Sequence, residues 1–500
     1  MPSPRTLGVA VAALVASTAP SAAAADPAFR YTTPAEPAYA RAAVEEVIIL
    51  GLGYLQYTTN KGNQADWDLS YDWASMRSKL VFDAVTFDNN KYDTNWLTHP
   101  GAGFLYYSAG RANRLSIVES FALAVASSAL WEYVGEWREH ASINDMINTP
   151  MTAAPLGETV LQLGALMHRS RRSPATVALG WLFAPLKSAH DAIDGLEPER
   201  AAAVDDLGLA DDVWHRLTIG ASAGVTHQRG GTTQGDGRFR ASSRIVSLDG
   251  YGRAGHRSGW FDAAEVSDLA FTAAASDGRL VDVNLAASMV AGGFRAQSVA
   301  TDRSGRLRGR ETIAGLEVGA EYGIHDYDRD RRRDEDRVAL VAGGAAVEHV
   351  IHAGGVRART SFHVLATFAG VTPYALGRYE RDFGGLRLPS VVRNQRYAHA
   401  WGGTLRPEVE LTWDRLDAGA DLRADWFSSV TDLDVEFPPT NPERPAQDRR
   451  LWTRAWLGFS PSRHVRVSLS AERRARAGNL PGARASRWEA GGYFGVDAVF

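Results

Sequence analysis

From Trp214 to Phe500 the apolar residues recur at every second position, and a chain that alternates in this way through its whole second half can bury an apolar face only as a sheet. In the last ladder, Trp488, Ala490, Gly492, Phe494, Val496, Ala498 and Phe500 fall on one face, with Arg487, Glu489, Tyr493 and Asp497 on the other. The same split sets Leu316, Val318, Ala320, Tyr322 and Ile324 against Glu317, Glu321 and His325. Tight turns such as Trp413 to Arg415 and Ser460 to Arg463 alternate with long polar loops such as Val371 to Arg393 and Thr431 to Arg449. Segments of about ten residues joined by short turns on one side and long loops on the other are the signature of an antiparallel transmembrane β-barrel. About twelve strands are expected, with the pairing between Gly237 and Arg279 poorly marked by turns. A soluble sandwich is the alternative, and it is opposed by charges at many inward positions.

The first 25 residues carry Arg5, the apolar run Leu7 to Ala16, and small residues ending Ala23, Ala24, Ala25. That order of charge, apolar run and small-residue cleavage site is the pattern of a secretory signal peptide. No cysteine occurs, so disulfides, thiolate metal sites and a cysteine nucleophile are excluded. The net charge of −4 lacks the footprint of a nucleic-acid binder. After the leader no uninterrupted run of about 18 to 20 apolar residues appears, which disfavours a helical inner-membrane protein. The expected location is the outer membrane of a Gram-negative bacterium.

Between the leader and the ladders, residues 26 to 205 read as helical. The fold class is therefore α+β, a helical periplasmic or plug module followed by a barrel over 206 to 500. From Ala38 a helix carries Val44, Val47, Ile48 and Leu55 on one face. His99 to Arg111 predicts a turn and a short helix. Ser116 and Glu119 form an S-x-x-E capping box, predicting a long helix to about Arg138. Ser142 and Asp145 repeat that pattern before a short helix stopped by Pro150 and Pro155. Two further helices follow, over Gly157 to His168 and Pro174 to Ile193, the second interrupted at Pro185.

The chemistry-bearing residues gather in Asn95 to Glu158. Ser128, Glu132 and Glu136 lie on one face of the long helix, and His140 extends the stripe if the helix lasts. Two carboxylates spaced in this way repel unless compensated. One solution is a metal or acid/base site of Glu132, Glu136 and either His99 or His140. The other is neutralisation by Arg111, Arg114 or Arg138. Glu119 and Asp145 have capping as their plain role, and Tyr106 and Tyr107 serve either a lipid interface or a core. Nucleophile-elbow, phosphate-loop, HExxH and Rossmann patterns are all missing.

The order N(x3)HPxxGxxYYxxxR, WExxxE, SxxD and GE, carried by Asn95, His99, Pro100, Gly103, Tyr106, Tyr107, Arg111, Trp131, Glu132, Glu136, Ser142, Asp145, Gly157 and Glu158, resembles an uncharacterised bacterial outer-membrane family known only as a domain of unknown function. Its closing part, with Asn148, is more distantly similar to VanZ-like membrane proteins, although Glu136 stands where those often have Gln. The resemblance implies an exported helical module coupled to a barrel and implies no activity. The closing Phe500 resembles the terminal aromatic that the barrel-assembly machinery recognises.

The expected function is a non-catalytic envelope protein with membrane lipid as its partner and no cofactor, in which a module plugs or packs on the barrel. Two alternatives stand beside it. One is a membrane-surface enzyme acting on lipid or glycan through His99, Glu132, Glu136 and Asp145, with any metal unknown. The other is a small-solute channel.

Overall fold

The computed structural model describes residues 26–61, 72–137, 139–231, 233–327, 335–383, 392, 395–430 and 445–500. The expected leader and Arg138 lie outside them. In chain order the helices are α1 (Tyr39–Lys61), α2 (Trp73–Leu80), α3 (His99–Ala112), α4 (Ile117–Leu130), α5 (Ile143–Arg169), α6 (Pro174–Phe183), α7 (Pro185–Asp194) and, in a loop of the second half, α8 (Leu376–Phe383). Strands β1 (Val85–Thr86) and β2 (Ala141–Ser142) form a small parallel pair among the helices. The remaining strands are β3 (Trp214–Gln228), β4 (Thr233–Val246), β5 (Gly255–Phe261), β6 (Val266–Ser276), β7 (Arg279–Thr301), β8 (Leu307–Asp326), β9 (Glu335–Ala353), β10 (Val356–Val371), β11 (Ala398–Trp413), β12 (Leu416–Ser429), β13 (Gln447–Ser462), β14 (Val465–Leu480) and β15 (Ala483–Val499).

Among the described residues, twelve of these strands close an antiparallel barrel, because β15 pairs with β3 and β7 pairs with β8. The poorly marked region is one broken strand. β5 and β6 both pair with β7, separated by a kink at Asp262 to Glu265 where Ala264 takes a left-handed φ of 49°. Ion pairs between opposite walls identify the inside: Arg216 to Glu410 at 3.0 Å, Arg474 to Asp282 at 3.1 Å, and His325 to Glu489 at 2.9 Å. Alternation then places Met289, Val318, Ala320, Ala339, Val341 and Phe368 on the outer face.

Those outward residues are what the helices touch. Ile143, Ile147 and Met151 of α5 pack against the cluster containing Ala339, Val341 and Phe368. Ala153 and Ala154 join Met289 and Val318, and Leu163 and Leu166 join Val213, Ile245 and Leu217. Helix α5, about 40 Å long at 1.5 Å per residue, thus follows the outer wall from the loop-bearing end to the end where β3 begins. The lumen cavity is lined by residues from 214 to 497. Of the two expected arrangements, a plug or a module packed on the barrel, the described residues have the second: the helices lie beside the wall, because the wall's outward residues and α5 offer matching apolar faces while the lumen is already crowded with charges.

Local signals account for several helix starts. The Ser116 hydroxyl accepts from the Glu119 amide at 3.2 Å, and the Ser116 amide donates to the Glu119 carboxylate at 2.8 Å. Helix α4 does not run to Arg138 as one α-helix; it passes into a π-helical turn, Trp131–Gly135, and stops at Glu136. The expected stop at Pro150 and Pro155 is also overturned, since α5 runs through both. Each proline costs a backbone hydrogen bond, and tight burial outweighs that loss: Pro150 and Pro155 are both buried in a helix packed by α3, α4 and the wall. Gly103 permits the closest of these approaches, because a Cβ there would stand 2.2 Å from the Thr149 carbonyl oxygen.

The apolar face of α1 points the other way. Val44, Val47, Ile48, Leu52 and Leu55 are all more than half exposed, and exposed Val118, Leu130 and Val134 extend the same kind of surface on α4 and its π turn.

Candidate functional site in the helical bundle

The polar residues singled out in the sequence separate into two buried clusters at opposite ends of the bundle. The lower one joins α3 to α5. Arg111, 1% exposed, donates from Nε to Glu158 Oε2 at 2.7 Å and from Nη2 to Asp26 Oδ2 at 2.7 Å. Tyr107 donates its hydroxyl to Glu158 at 2.8 Å, and Gln162 donates to the other carboxylate oxygen at 2.7 Å. Every oxygen of Glu158 has a donor, so this cluster is a closed ionic clamp. Tyr106 and Tyr107 are core residues, 4% and 0% exposed.

The upper cluster collects Asn95, His99, Glu132, Glu136, Ser142 and Asp145. The Ser142 hydroxyl caps α5 by accepting from the Asp145 amide at 3.2 Å, and the Ser142 amide donates to Glu132 Oε2 at 2.7 Å. Asp145 Oδ1 accepts from Asn144 at 3.0 Å, while His99 Nε2 stands 3.7 Å from Asp145 Oδ2, too far for a hydrogen bond. Trp131 donates its indole N–H to Glu136 at 3.1 Å and stacks edge-on with Tyr57. The compensating cation is Lys79, whose ammonium donates to the backbone carbonyls of Glu132 and Glu136. Arg111 is engaged in the lower clamp and Arg114 pairs with Asp194 at 2.7 Å, so neither described arginine serves here. His140 is exposed and outside the cluster, because the π turn ends the helix before it.

The upper cluster has further members beyond the candidate site residues read from the sequence. Asp88 accepts from Asn144 at 3.1 Å and also from Asn95. Asn148 donates to the Asn95 carbonyl. Two residues arrive from the barrel: Tyr397, whose hydroxyl accepts from Asn95 at 2.9 Å, and His399, 3.2 Å from the Asp88 carbonyl. Asn148 lies one helical turn beyond Asp145, a spacing that sequence can show; Tyr397 and His399 are more than two hundred residues away and only the fold brings them in.

Trp96 locks this cluster to the wall. Its ring sits over Gly370 of β10, where a Cβ would meet the indole nitrogen at 2.1 Å, and packs on Phe368 with centroids 5.6 Å apart. Chemically the cluster holds buried carboxylates among amides, two nearby histidines, His99 and His399, and one lysine. Glu132 Oε1 and Asn95 Oδ1 are buried without a hydrogen-bond partner. No group of three or more His, Asp or Glu side chains among the described residues is arranged to hold a metal ion.

The profile of a domain of unknown function, DUF3943, matches residues 84–186, which span both clusters. No curated protein matches the chain. Solved structures similar to it are barrels. The translocator domain of the autotransporter NalP from Neisseria meningitidis is 8% identical, covering 57% of this chain and 88% of that one with a TM-score of 0.22. The beta domain of the Bordetella autotransporter BrkA is 13% identical, covering 57% and 99%, TM-score 0.21. A Pseudomonas aeruginosa FadL homologue is 9% identical, covering 58% and 90%, TM-score 0.23.

Proposed function

We propose that the protein is a Gram-negative outer-membrane barrel with a structural, lipid-contacting role, whose N-terminal helices lie in the membrane against its wall and whose lumen is not a route for solutes. The observation that carries this reading is the pairing of opposite walls through the lumen. Besides the pairs named above, Arg244 reaches Glu348 and Arg423 reaches Glu321, and the cavity left is about 620 Å³. At the loop-bearing end, the loop carrying α8 crosses to β14 and β15, where Leu376 and Tyr379 share a cluster with Leu480 and Ala483.

Membrane placement of the helices is supported by their exposed apolar faces, with Val44, Val47, Ile48, Leu52 and Leu55 of α1 and Leu130 of α4 all more than half exposed. The stretch Ile117–Gly135 has the length and mean hydropathy, 19 residues and 1.3, of a spanning helix, although Glu119, Ser127, Ser128 and Glu132 interrupt it in sequence. Planar-bilayer recordings of the full-length protein are expected to show no steady open-pore conductance. A large and steady conductance would overturn the reading.

A second reading is favoured by one observation: His99 and Asp145 approach each other next to the unpartnered oxygens of Glu132 and Asn95. It makes the upper cluster an acid/base site acting on lipid or glycan at the membrane surface. Burial counts against it, since Asn95, Glu132 and Asp145 are each 1% exposed. Glu132→Gln keeps an acceptor for the Ser142 amide. Loss of lipid or glycan turnover in that folded variant would restore the enzymatic reading.

A further inference from the structure

The bundle lies against β3, β4 and β6 to β10, which leaves the wall of β12 to β15 uncovered among the described residues. Near its loop-bearing end three arginines sit on the outside of that wall. Arg449 faces outward opposite Trp426 in the ladder, and Arg473 faces outward with its guanidinium 5.8 Å from the Trp488 ring centroid. Arg229, just past β3, donates to Ser486 Oγ at 3.2 Å. Small residues of β14 and β15, Ala475, Ala477 and Ser486, floor a groove of about 620 Å³ between them.

None of these three arginines has a carboxylate partner among the described residues. Three inward arginines of the same strand as Arg473 are paired: Arg466 with Asp417 and Asp497, Arg474 with Asp282, Arg476 with Asp448. An unpaired guanidinium on an outward, mostly apolar wall is unfavourable unless an anion meets it. Tryptophans at the same level mark the depth at which headgroups begin. A planar guanidinium presents paired N–H donors that match a phosphate's oxygens.

We propose that this groove binds the phosphate of an outer-leaflet lipid. Arg229 and Arg449 hold the phosphate at headgroup depth, Arg473 reaches it from below while stacked on Trp488, and the acyl chains descend over Leu451 and Trp426. The inference rests on the outer-membrane placement given above, with the long loops outward.

The test uses full-length protein in a neutral detergent, titrated with a bis-phosphorylated glucosamine disaccharide lipid and read by native mass spectrometry. Binding is expected to weaken at least tenfold in the triple variant Arg229→Gln, Arg449→Gln, Arg473→Gln, and to stay within threefold of wild type when all three become Lys. The dephosphorylated lipid is expected to bind at least tenfold more weakly than the phosphorylated one. Equal binding by the triple Gln variant or of the dephosphorylated lipid overturns the proposal. Displacement of the lipid by equimolar inorganic phosphate also overturns it, since the groove is then a site for free anions. Heat-modifiable gel migration reports that each barrel is folded; should the triple variant not fold, Arg449→Gln alone is expected to weaken binding about threefold, and unchanged binding counts against the proposal. Failure of the wild type to fractionate with outer membranes would sink the placement and leaves the binding result to be read separately.

Discussion

The lumen and the helical bundle both bury ionisable side chains, and they neutralise them differently. Inside the barrel several carboxylates meet arginines from more than one strand: Glu348 is reached by Arg244 and Arg359, and Asp425 by Arg423 and Arg450. The two buried clusters of the bundle have no such redundancy. The lower clamp depends on one arginine, Arg111, for two carboxylates, and the upper cluster depends on Lys79 and a set of side-chain amides. A barrel wall recruits partners from all around a ring, whereas a few helices present only the residues on their facing stripes. Single substitutions should therefore be absorbed in the lumen and felt in the bundle.

The strongest way to break that contrast is Arg111→Ala, which strands Glu158 and Asp26 without a cation. We expect a loss of about 3 to 5 kcal/mol, seen as melting of the 222 nm helical signal while the barrel still migrates as a folded, heat-modifiable band. Simultaneous loss of both signals would show that bundle and barrel are one cooperative unit. Trp96→Ala comes next. It empties the notch over Gly370 and is expected to cost about 3 kcal/mol, with a cysteine pair placed across the α5 and β9 interface losing its cross-link.

In the lumen, Arg450→Gln should cost no more than about 1 kcal/mol, because Arg423 still serves both of its carboxylates, Asp425 at 3.0 Å and Glu321; the urea midpoint in micelles checks it. A loss as large as that of Arg111→Ala would remove the claim of redundancy. The smallest effect concerns the bundle's lower rim. Hydrogen bonds from Arg41 and Arg114 hold Asp194 down to about 2. A depressed carboxylate stabilises the fold above its unfolded value near 4 and loses that contribution as pH falls toward 2. Wild type should therefore lose slightly more thermal stability than Asp194→Asn between pH 5 and pH 2.5, with little difference above pH 5.

The strand ladders were legible because period two is a local property: Glu317 and Val318 declare opposite faces without knowing their neighbours. Helix starts were legible for the same reason, since the Ser116 and Ser142 caps act over three residues. Helix ends were not. Pro150 and Pro155 read as stops, and whether a helix survives a proline depends on what packs around it. The candidate site was half visible. Asn95, His99, Glu132, Glu136, Ser142 and Asp145 do converge, but Asp88 was unremarkable in sequence, and Tyr397 and His399 come from the barrel.

Alternation and capping, acting between residues close in the chain, determined by themselves that this polypeptide makes helices first and a barrel afterwards, and which strand residues look inward. Which side of the wall the helices occupy was decided only in three dimensions. An apolar helix face suits a lumen, a periplasmic surface or a lipid-facing wall equally well, and the choice depends on the ion pairs that fill the lumen and on the fit of Trp96 over Gly370, contacts between residues hundreds of positions apart.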